Sequence, residues 1–175
     1  MIEKGNKSDI EEVYKSYLEL FKYEKVYTNH SNWVKGVYPS RETAQHAYDQ
    51  QSLYVLKENG HICGSMILNE IQPNEYDEIN WKYDAKDSQV LVLHTLCISP
   101  TCKGKGYGKQ FIEYALGYAR KNNYKVIRLD TWLGNKPACS LYEKMGFKVA
   151  GKGRMVLQGV IEEEQIYFEK EVIYE

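Results

Sequence analysis

The sequence predicts an α/β fold that borders on α+β, with helices on both faces of a mixed central sheet of about six to seven strands. One observation is the succession of an apolar run, a glycine-rich loop, an amphipathic segment and a second apolar run, which is the order of a right-handed parallel crossover. The other is a hairpin-like pair of runs earlier in the chain and two closing strands at its end, which predict antiparallel neighbours.

Two helices and a hairpin are predicted in the first half of the chain. Ser8 and Glu11 form a capping-box pattern at the start of the first helix. Its inward face carries apolar residues at helical spacing, namely Ile10, Val13, Tyr17, Leu20 and Phe21. A second, shorter helix is expected after Pro39 and Ser40, over about 41–51. Residues 53–56 and 62–68 are β-like runs separated by a turn-forming segment, so they predict a hairpin.

The middle of the chain holds an acidic connection and the crossover. From residue 70 to 88, six acidic residues stand against two lysines, a balance of −4, with aromatic residues between them. Residues 90–98 are almost continuously apolar, which is typical of a central strand covered on both faces. Apolar residues at helical spacing over 108–122 and an apolar run at 126–131 predict the helix and second strand of the crossover.

The last third of the chain predicts a short helix and the two closing strands. Pro137 lies near the helix start, and Gly146 is expected to end the helix in a left-handed conformation. Residues 147–150 and 165–173 are β-like. An exposed closing strand could support a homodimer.

Composition indicates one domain over residues 1–175 and excludes several classes of protein. The chain is 43% hydrophobic and 27% charged, with a formal net charge of −1. These values exclude a disordered chain and a whole-molecule field that gathers nucleic acid or anionic lipid. Without a membrane-span or leader pattern, a cytoplasmic protein with no membrane or nucleic-acid partner is expected. The four cysteines and four histidines show no metal-ligand spacing, so free thiols and no metal site are expected.

A glycine cluster follows the central strand. Lys103-Gly104-Lys105-Gly106-Tyr107-Gly108-Lys109 places a glycine at every second position, directly before an amphipathic helix. Without side chains, backbone N–H groups can converge on one point, and the helix N-terminus adds its positive dipole end. Residues 101–128 also carry seven basic residues against one acidic residue. The segment therefore predicts a cradle for a polyanionic cofactor, in which main-chain amides contribute more than the lysines.

Other interpretations of the glycine cluster fit less well. A tight strand-to-helix turn needs no ligand, but packing alone rarely requires three alternating glycines. A Walker loop is excluded, since Gln110 stands where Ser or Thr is required. A dinucleotide fingerprint lacks its third glycine at Lys109, although Asp130 lies suitably downstream.

Two motifs resemble the GNAT superfamily of acyl-coenzyme A dependent N-acyltransferases. Residues 103–108 are similar to its Arg/Gln-x-x-Gly-x-Gly/Ala signature, with Lys103 in the usual Arg or Gln place. The second motif, Asn-x-x-Ala-x-x-Leu-Tyr-x-x-x-Gly-Phe, is matched by Asn135, Ala138, Leu141, Tyr142, Gly146 and Phe147. The resemblance is strongest over residues 90–150.

The resemblance implies a GNAT-like sheet in which two parallel strands, 90–98 and 126–131, splay apart and admit the pantetheine arm of acetyl-coenzyme A. It implies that Tyr142 is the general acid at the thioester sulfur. The cofactor-binding residues that it implies are Leu96, Cys97, Ile98, Lys103, Gly104, Lys105, Gly106, Tyr107, Gly108, Lys109, Asn135, Ala138 and Tyr142.

An amine substrate needs a base, because a pKa near 10.4 leaves only about one molecule in 2,500 neutral at pH 7. The candidates are His94 on the central strand, as general base or substrate contact, and Glu70 at a strand end, as a base that acts through water. The competing interpretation of His94 is a buried, hydrogen-bonded histidine. Trp33, Tyr38 and Trp81 are candidate walls of the acceptor pocket, or ordinary packing residues.

Together these features predict an enzyme that moves an acetyl group from acetyl-coenzyme A to a primary amine of a small molecule or peptide. The amine is expected to attack directly in a ternary complex. The alternative is a catalytically weak sensor that binds acyl-coenzyme A in the same cleft.

Overall fold

The computed structural model describes residues 1–174 and shows a central sheet with helices packed on both faces. In chain order its elements are β1 (Ile2–Lys4), α1 (Asp9–Val26), α2 (Arg41–Asp49), β2 (Leu53–Glu58), β3 (His61–Asn69), β4 (Val90–Ile98), α3 (Tyr107–Lys121), β5 (Val126–Trp132), α4 (Lys136–Lys144), β6 (Lys148–Leu157) and β7 (Ile161–Glu171). The strands lie in the order β1-β2-β3-β4-β5-β7-β6. Every neighbouring pair is antiparallel except β4 and β5, which are parallel, so the predicted mixed sheet is confirmed.

The two parallel strands separate after a short paired stretch. Their register runs from Val90 opposite Val126 to Val92 opposite Arg128, whereas β5 stays paired with β7 along its full length. On its other edge β4 shifts register against β3 near Thr95, which has a φ of 49°. This irregularity bends the bulged strand. The carboxyl-terminal halves of β4 and β5 therefore face each other across a gap.

Apolar side chains hold a layer of helices against each face of the sheet. On one face, α1 and α2 contribute Val13, Tyr17 and Ala44 to a buried cluster with β2. On the other face, α3 inserts Phe111 and Ile112, both fully buried, against the central strands. The prediction of helices on both sides is confirmed.

The start of α1 differs from the prediction. Ser8 makes no side-chain capping bond; instead its main-chain N–H donates to the Asn6 side-chain oxygen over 2.9 Å, and the Asp9 carboxylate accepts from the Asn6 N–H over 2.9 Å. At α2, by contrast, Ser40 and Thr43 form a reciprocal capping box. The closing strands are also longer than predicted and form a continuous hairpin.

Cys63 on β3 and Cys102, just before the glycine cluster, are joined by a disulfide. The expectation of four free thiols is therefore wrong for this pair, while Cys97 and Cys139 are free. Sheet pairing brings together two residues that are 39 positions apart, which no local spacing indicates. Within residues 1–174, no helix combines the length and apolar character needed to cross a membrane.

Candidate active site

A cleft of about 510 Å³ opens where β4 and β5 separate. The strand β4 lines one wall over residues 93–98, and β5 lines the other with residues 130–132. The start of α3, the helix α4 and the β6–β7 hairpin also border the cleft, as do the second half of α1 and the loop between α1 and α2. The splayed strands and the glycine cluster thus meet at one cavity.

The glycine cluster forms the entry to α3. Gly104 and Gly106 adopt positive φ values of 82° and 77°, and a Cβ built on either one would meet no atom within 4 Å. Gly106 is the N-cap residue of α3, so the first N–H groups of that helix have no partner within the helix. At Gly108 a Cβ would lie 3.0 Å from the Leu141 side chain. The loop therefore presents main-chain donors at the positive end of a 15-residue helix.

The three lysines of the cluster have different partners. The Lys105 ammonium donates to Glu58 over 2.9 Å, and the Tyr107 hydroxyl donates to the same carboxylate oxygen over 2.7 Å. Both interactions lower the pKa of Glu58. Lys109 lies 3.8 Å from Glu113 on its own helix, and Lys103 alone of the three lines the cleft.

Glu58 also lies beside the disulfide, and its carboxylate falls within 4.8 Å of both sulfurs. Carboxylate and thiolate are metal-ligand types, but the disulfide leaves neither sulfur free as a thiolate. This cluster fastens the β2–β3 hairpin to the glycine loop.

The residues predicted on β4 divide between the two sides of the strand. Leu96 and Ile98 are partly exposed and line the cleft. Cys97 is buried and packs in the cluster beneath α1, where burial raises the pKa of its thiol to about 12. Cys97 therefore offers the cleft its main chain but no reactive thiolate.

The second motif positions α4 at the cleft. The Asn135 side-chain oxygen caps this helix by accepting the N–H of Ala138 over 3.2 Å. Tyr142 is 5% exposed, lines the cleft and packs edge-on against Phe168. Burial raises the pKa of Tyr142 well above its usual value, and the charge of Asp130 adds to the shift. The phenol therefore keeps its proton at neutral pH.

The two predicted bases occupy different places. His94 lines the cleft, where Nε2 lies 2.8 Å from the Asn69 side-chain oxygen, and burial lowers its pKa to about 4. Glu70 is exposed, does not line the cleft, and accepts a hydrogen bond of 2.7 Å from Tyr124. The structure therefore does not bring Glu70 to the other predicted site residues.

Two of the three aromatic wall candidates reach the cleft. Trp33 and Tyr38 line it and meet edge to face at 6.0 Å, and the Tyr38 hydroxyl is hydrogen-bonded to Thr95. Trp81 lies elsewhere: its indole N–H donates to the Tyr76 carbonyl over 2.9 Å, and the Arg128 guanidinium stacks 4.3 Å from its ring. Trp81 is a packing residue of the acidic connection.

An acidic group that the sequence analysis did not assign to the site lies at the acceptor side of the cleft. Asp130 on β5 and Glu163 on β7 both line it, and the Gln165 amide nitrogen donates to both carboxylates, over 3.2 and 2.9 Å. Burial raises the pKa of Asp130 to about 6 and also raises that of Glu163.

Strand periodicity contains a signal for this group. Ile161, Glu163, Gln165 and Tyr167 alternate along one face of β7 and are all buried, whereas Glu162 and Glu164 between them are exposed. The predicted strand begins at residue 165, so it leaves out residues 161–164, over which this alternation starts.

Comparison with known proteins agrees with this geometry. The sequence profile of the Acetyltransferase (GNAT) family matches residues 10–147. The N-acetyltransferase MJ1207 of Methanocaldococcus jannaschii is 23% identical over 155 residues, which are 86% of this chain and 63% of that protein. The chain thus spans less than two thirds of the length of this relative.

Solved structures share the fold. An acetyltransferase structure from Staphylococcus aureus Mu50 superposes with a TM-score of 0.74 at 25% identity, covering 99% of both chains. The Salmonella typhimurium acetyltransferase yncA, solved with its cofactor acetyl-CoA, gives a TM-score of 0.69 at 15% identity over 100% of this chain and 95% of that one. The chain belongs to the GNAT acetyltransferase family, whose cofactor is acetyl-CoA.

Proposed function

We propose that the protein is an N-acetyltransferase that moves the acetyl group of acetyl-CoA to a primary amine of a small molecule or peptide. The observation that carries the proposal is the meeting of three features at one cleft. These are the glycine cradle at the start of α3, the gap between β4 and β5, and Tyr142 near the Asp130 carboxylate. The amine attacks directly while both substrates are bound.

The residues present suit acetyl-CoA. Main-chain N–H groups at residues 104–109 would hold the diphosphate, since open space surrounds Gly104 and Gly106. The free edge of β4 at residues 96–98 would hold the pantetheine amides, with Leu96 and Ile98 against its apolar parts. When bound, acetyl-CoA supplies the acetyl group as a thioester with a thiolate leaving group.

We assign the role of base to Asp130 in place of His94 or Glu70. A carboxylate with a pKa of about 6 binds a proton more strongly than an imidazole with a pKa of about 4. The His94 ring is also engaged by Asn69. Removing a proton from an ammonium of pKa near 10.4 costs roughly 4.6 kcal/mol at pH 7, so the stronger base matters.

Tyr142 supplies the complementary proton. Asp130 first takes one proton from the ammonium, which frees the nitrogen lone pair. As the nitrogen then bonds to the acetyl carbon and the carbon–sulfur bond breaks, the Tyr142 hydroxyl protonates the departing sulfur, and the second nitrogen proton restores the Tyr142 hydroxyl. The raised pKa of this buried phenol keeps it in the acid form that the step requires.

The test is release of free thiol from acetyl-CoA in the presence of a panel of primary amines, with an amine-free reaction as the control. We expect release that depends on both the amine and the protein, together with an acetylated product seen by mass spectrometry. Binding of acetyl-CoA without thiol release for any amine would instead favour the sensor alternative.

A further inference from the structure

We propose that the acceptor carries two basic nitrogens, and that Glu163 and Gln165 hold the second one as an ammonium while the first is acetylated. This inference rests on the proposed function and specifies the class of acceptor. The preferred substrates are therefore diamines and larger polycationic amines rather than monoamines or amino acids.

Glu163 is a buried carboxylate with no cationic partner. It is 8% exposed and accepts hydrogen bonds from the Asn32 amide over 2.8 Å and from the Gln165 amide over 2.9 Å. Among residues 1–174, no ion pair includes Glu163 or Asp130, although the exposed neighbour Glu162 pairs with Arg154. Neutral donors satisfy part of a carboxylate, but a buried negative charge is stabilised most by a cation.

Gln165 provides a second observation that points to the same ligand. Its amide nitrogen faces the carboxylates of Asp130 and Glu163, which can only accept, so the orientation of the amide is set. Its oxygen, in a side chain that is 4% exposed and lines the cleft, has no hydrogen-bond partner. An ammonium has three donors and can satisfy this oxygen and the adjacent Glu163 carboxylate together.

Charge and aromatic rings around the acceptor side favour the same ligand. Glu24 and Glu75 also line this cleft, as do Trp33 and Tyr38, whose aromatic rings belong to the types that bind cations. Lys103, the lysine of the cleft lining, lies against the Tyr23 ring at 5.0 Å on the side of the glycine cradle. The cleft is therefore negative where the acceptor binds and positive where the cofactor phosphates bind.

The experiment compares three amines of matched chain length: cadaverine, pentylamine and aminovalerate. We expect kcat/KM to be at least about tenfold higher for cadaverine than for pentylamine, a ratio that corresponds to one charge-assisted hydrogen bond. The lowest kcat/KM is expected for aminovalerate. Glu163→Gln is expected to remove most of the advantage of cadaverine over pentylamine, chiefly by raising KM for cadaverine.

Glu164→Gln is the matched control, because it removes the same charge one position away on the exposed face of β7. It is expected to leave the ratio of the two kcat/KM values unchanged. If Glu163→Gln does not fold, Asn32→Ala offers a second route, since it removes a donor to Glu163 from a loop outside the sheet; it is expected to change the same ratio.

Calorimetric titration of cadaverine into the protein with coenzyme A gives a readout that needs no turnover. Binding that is lost in Glu163→Gln supports the inference. Equal kcat/KM for cadaverine and pentylamine, or a cadaverine advantage that survives Glu163→Gln, would overturn the inference and leave the proposed function intact. No thiol release with any amine would instead overturn the proposed function, while the calorimetric result would still decide whether the ammonium site exists.

Discussion

The Asp130 carboxylate accepts two hydrogen bonds, one from Tyr76 over 2.6 Å and one from Gln165 over 3.2 Å. Burial nevertheless raises its pKa to about 6, so the carboxyl is protonated below that pH and ionised above it. If the ionised form accepts the amine proton, kcat at saturating amine rises as the pH increases through about 6. Below that pH the base is protonated and activity is lost.

Asp130→Asn is expected to lower kcat by about 100-fold and to remove this acidic limb of the profile. The measurement is a pH series of kcat for wild type, Asp130→Asn and His94→Gln. A limb that persists in Asp130→Asn and disappears in His94→Gln would return the role of base to His94.

Tyr142 gives a second prediction at this scale. Tyr142→Phe keeps the ring that packs on Phe168 but removes the hydroxyl, so the fold should persist. We expect kcat to fall by about 10- to 100-fold with KM for acetyl-CoA within about twofold, because protonation of sulfur is the easier proton transfer. Tyr114→Phe, away from the cleft, is the control. Unchanged turnover in Tyr142→Phe would remove its role as the acid.

At the residue scale, sequence motifs mark some of the positions that lie at the cleft. The loop glycines, Asn135 and Tyr142 lie at the cleft or at its entry because their spacing reflects a local turn and helix. Glu163 and Gln165 depend instead on which strand face is buried and on which strand becomes its neighbour. Both are determined by how the whole sheet packs, and no short sequence motif indicates them.

At the scale of elements, the loop before α3 carries the next prediction. A tryptophan at Gly106 would enter the space in front of the helix N-terminus, so Gly106→Trp is expected to weaken acetyl-CoA binding by at least about tenfold. Gly60→Trp is the control, because Gly60 has a similar φ of 78° and equally open surroundings in the β2–β3 turn. Calorimetry measures both, and unchanged affinity in Gly106→Trp contradicts the assignment of the cradle.

The order of helices and strands was predictable because each element has its own periodicity. The boundaries were less so. At Ser8 the local pattern matched a capping box, yet Asn6 and Asp9 satisfy the free groups instead. The sequence of β6 has little strand character, because it contains glycines at 151 and 153 and many exposed residues. Pairing with β7 from one end of β6 to the other stabilises it as a strand.

At the scale of the whole molecule, the disulfide links the β2–β3 hairpin to the segment just before the glycine cluster. Closing a loop between Cys63 and Cys102, which lie 39 positions apart, restricts the unfolded chain and can contribute up to about 4 kcal/mol to the free energy of unfolding. Reductant is therefore expected to lower the urea midpoint of wild type, and the double variant Cys63→Ser, Cys102→Ser should be insensitive to it. Identical midpoints with and without reductant would contradict the link.

The mixed sheet and its family were predictable from the sequence because two motifs stand at a fixed separation on either side of β5. The disulfide was not, since only the folded β3 and β4 region brings its cysteines to a Cα separation of 5.6 Å. The homodimer stays a prediction: β6 is an edge strand that exposes Val149 and Val156.

Within the described residues, three residue pairs join β4 to β5, whereas seven join β5 to β7. The sheet thus has two extensively paired parts, β1–β4 and β5–β7, that are joined by a short paired stretch, and we expect the angle between these two parts to change more easily than the pairing within either. A ligand that contacts the facing edges of β4 and β5 would restrict this angle. Ligand binding should therefore slow deuterium uptake in both parts of the sheet, including residues that the ligand does not contact.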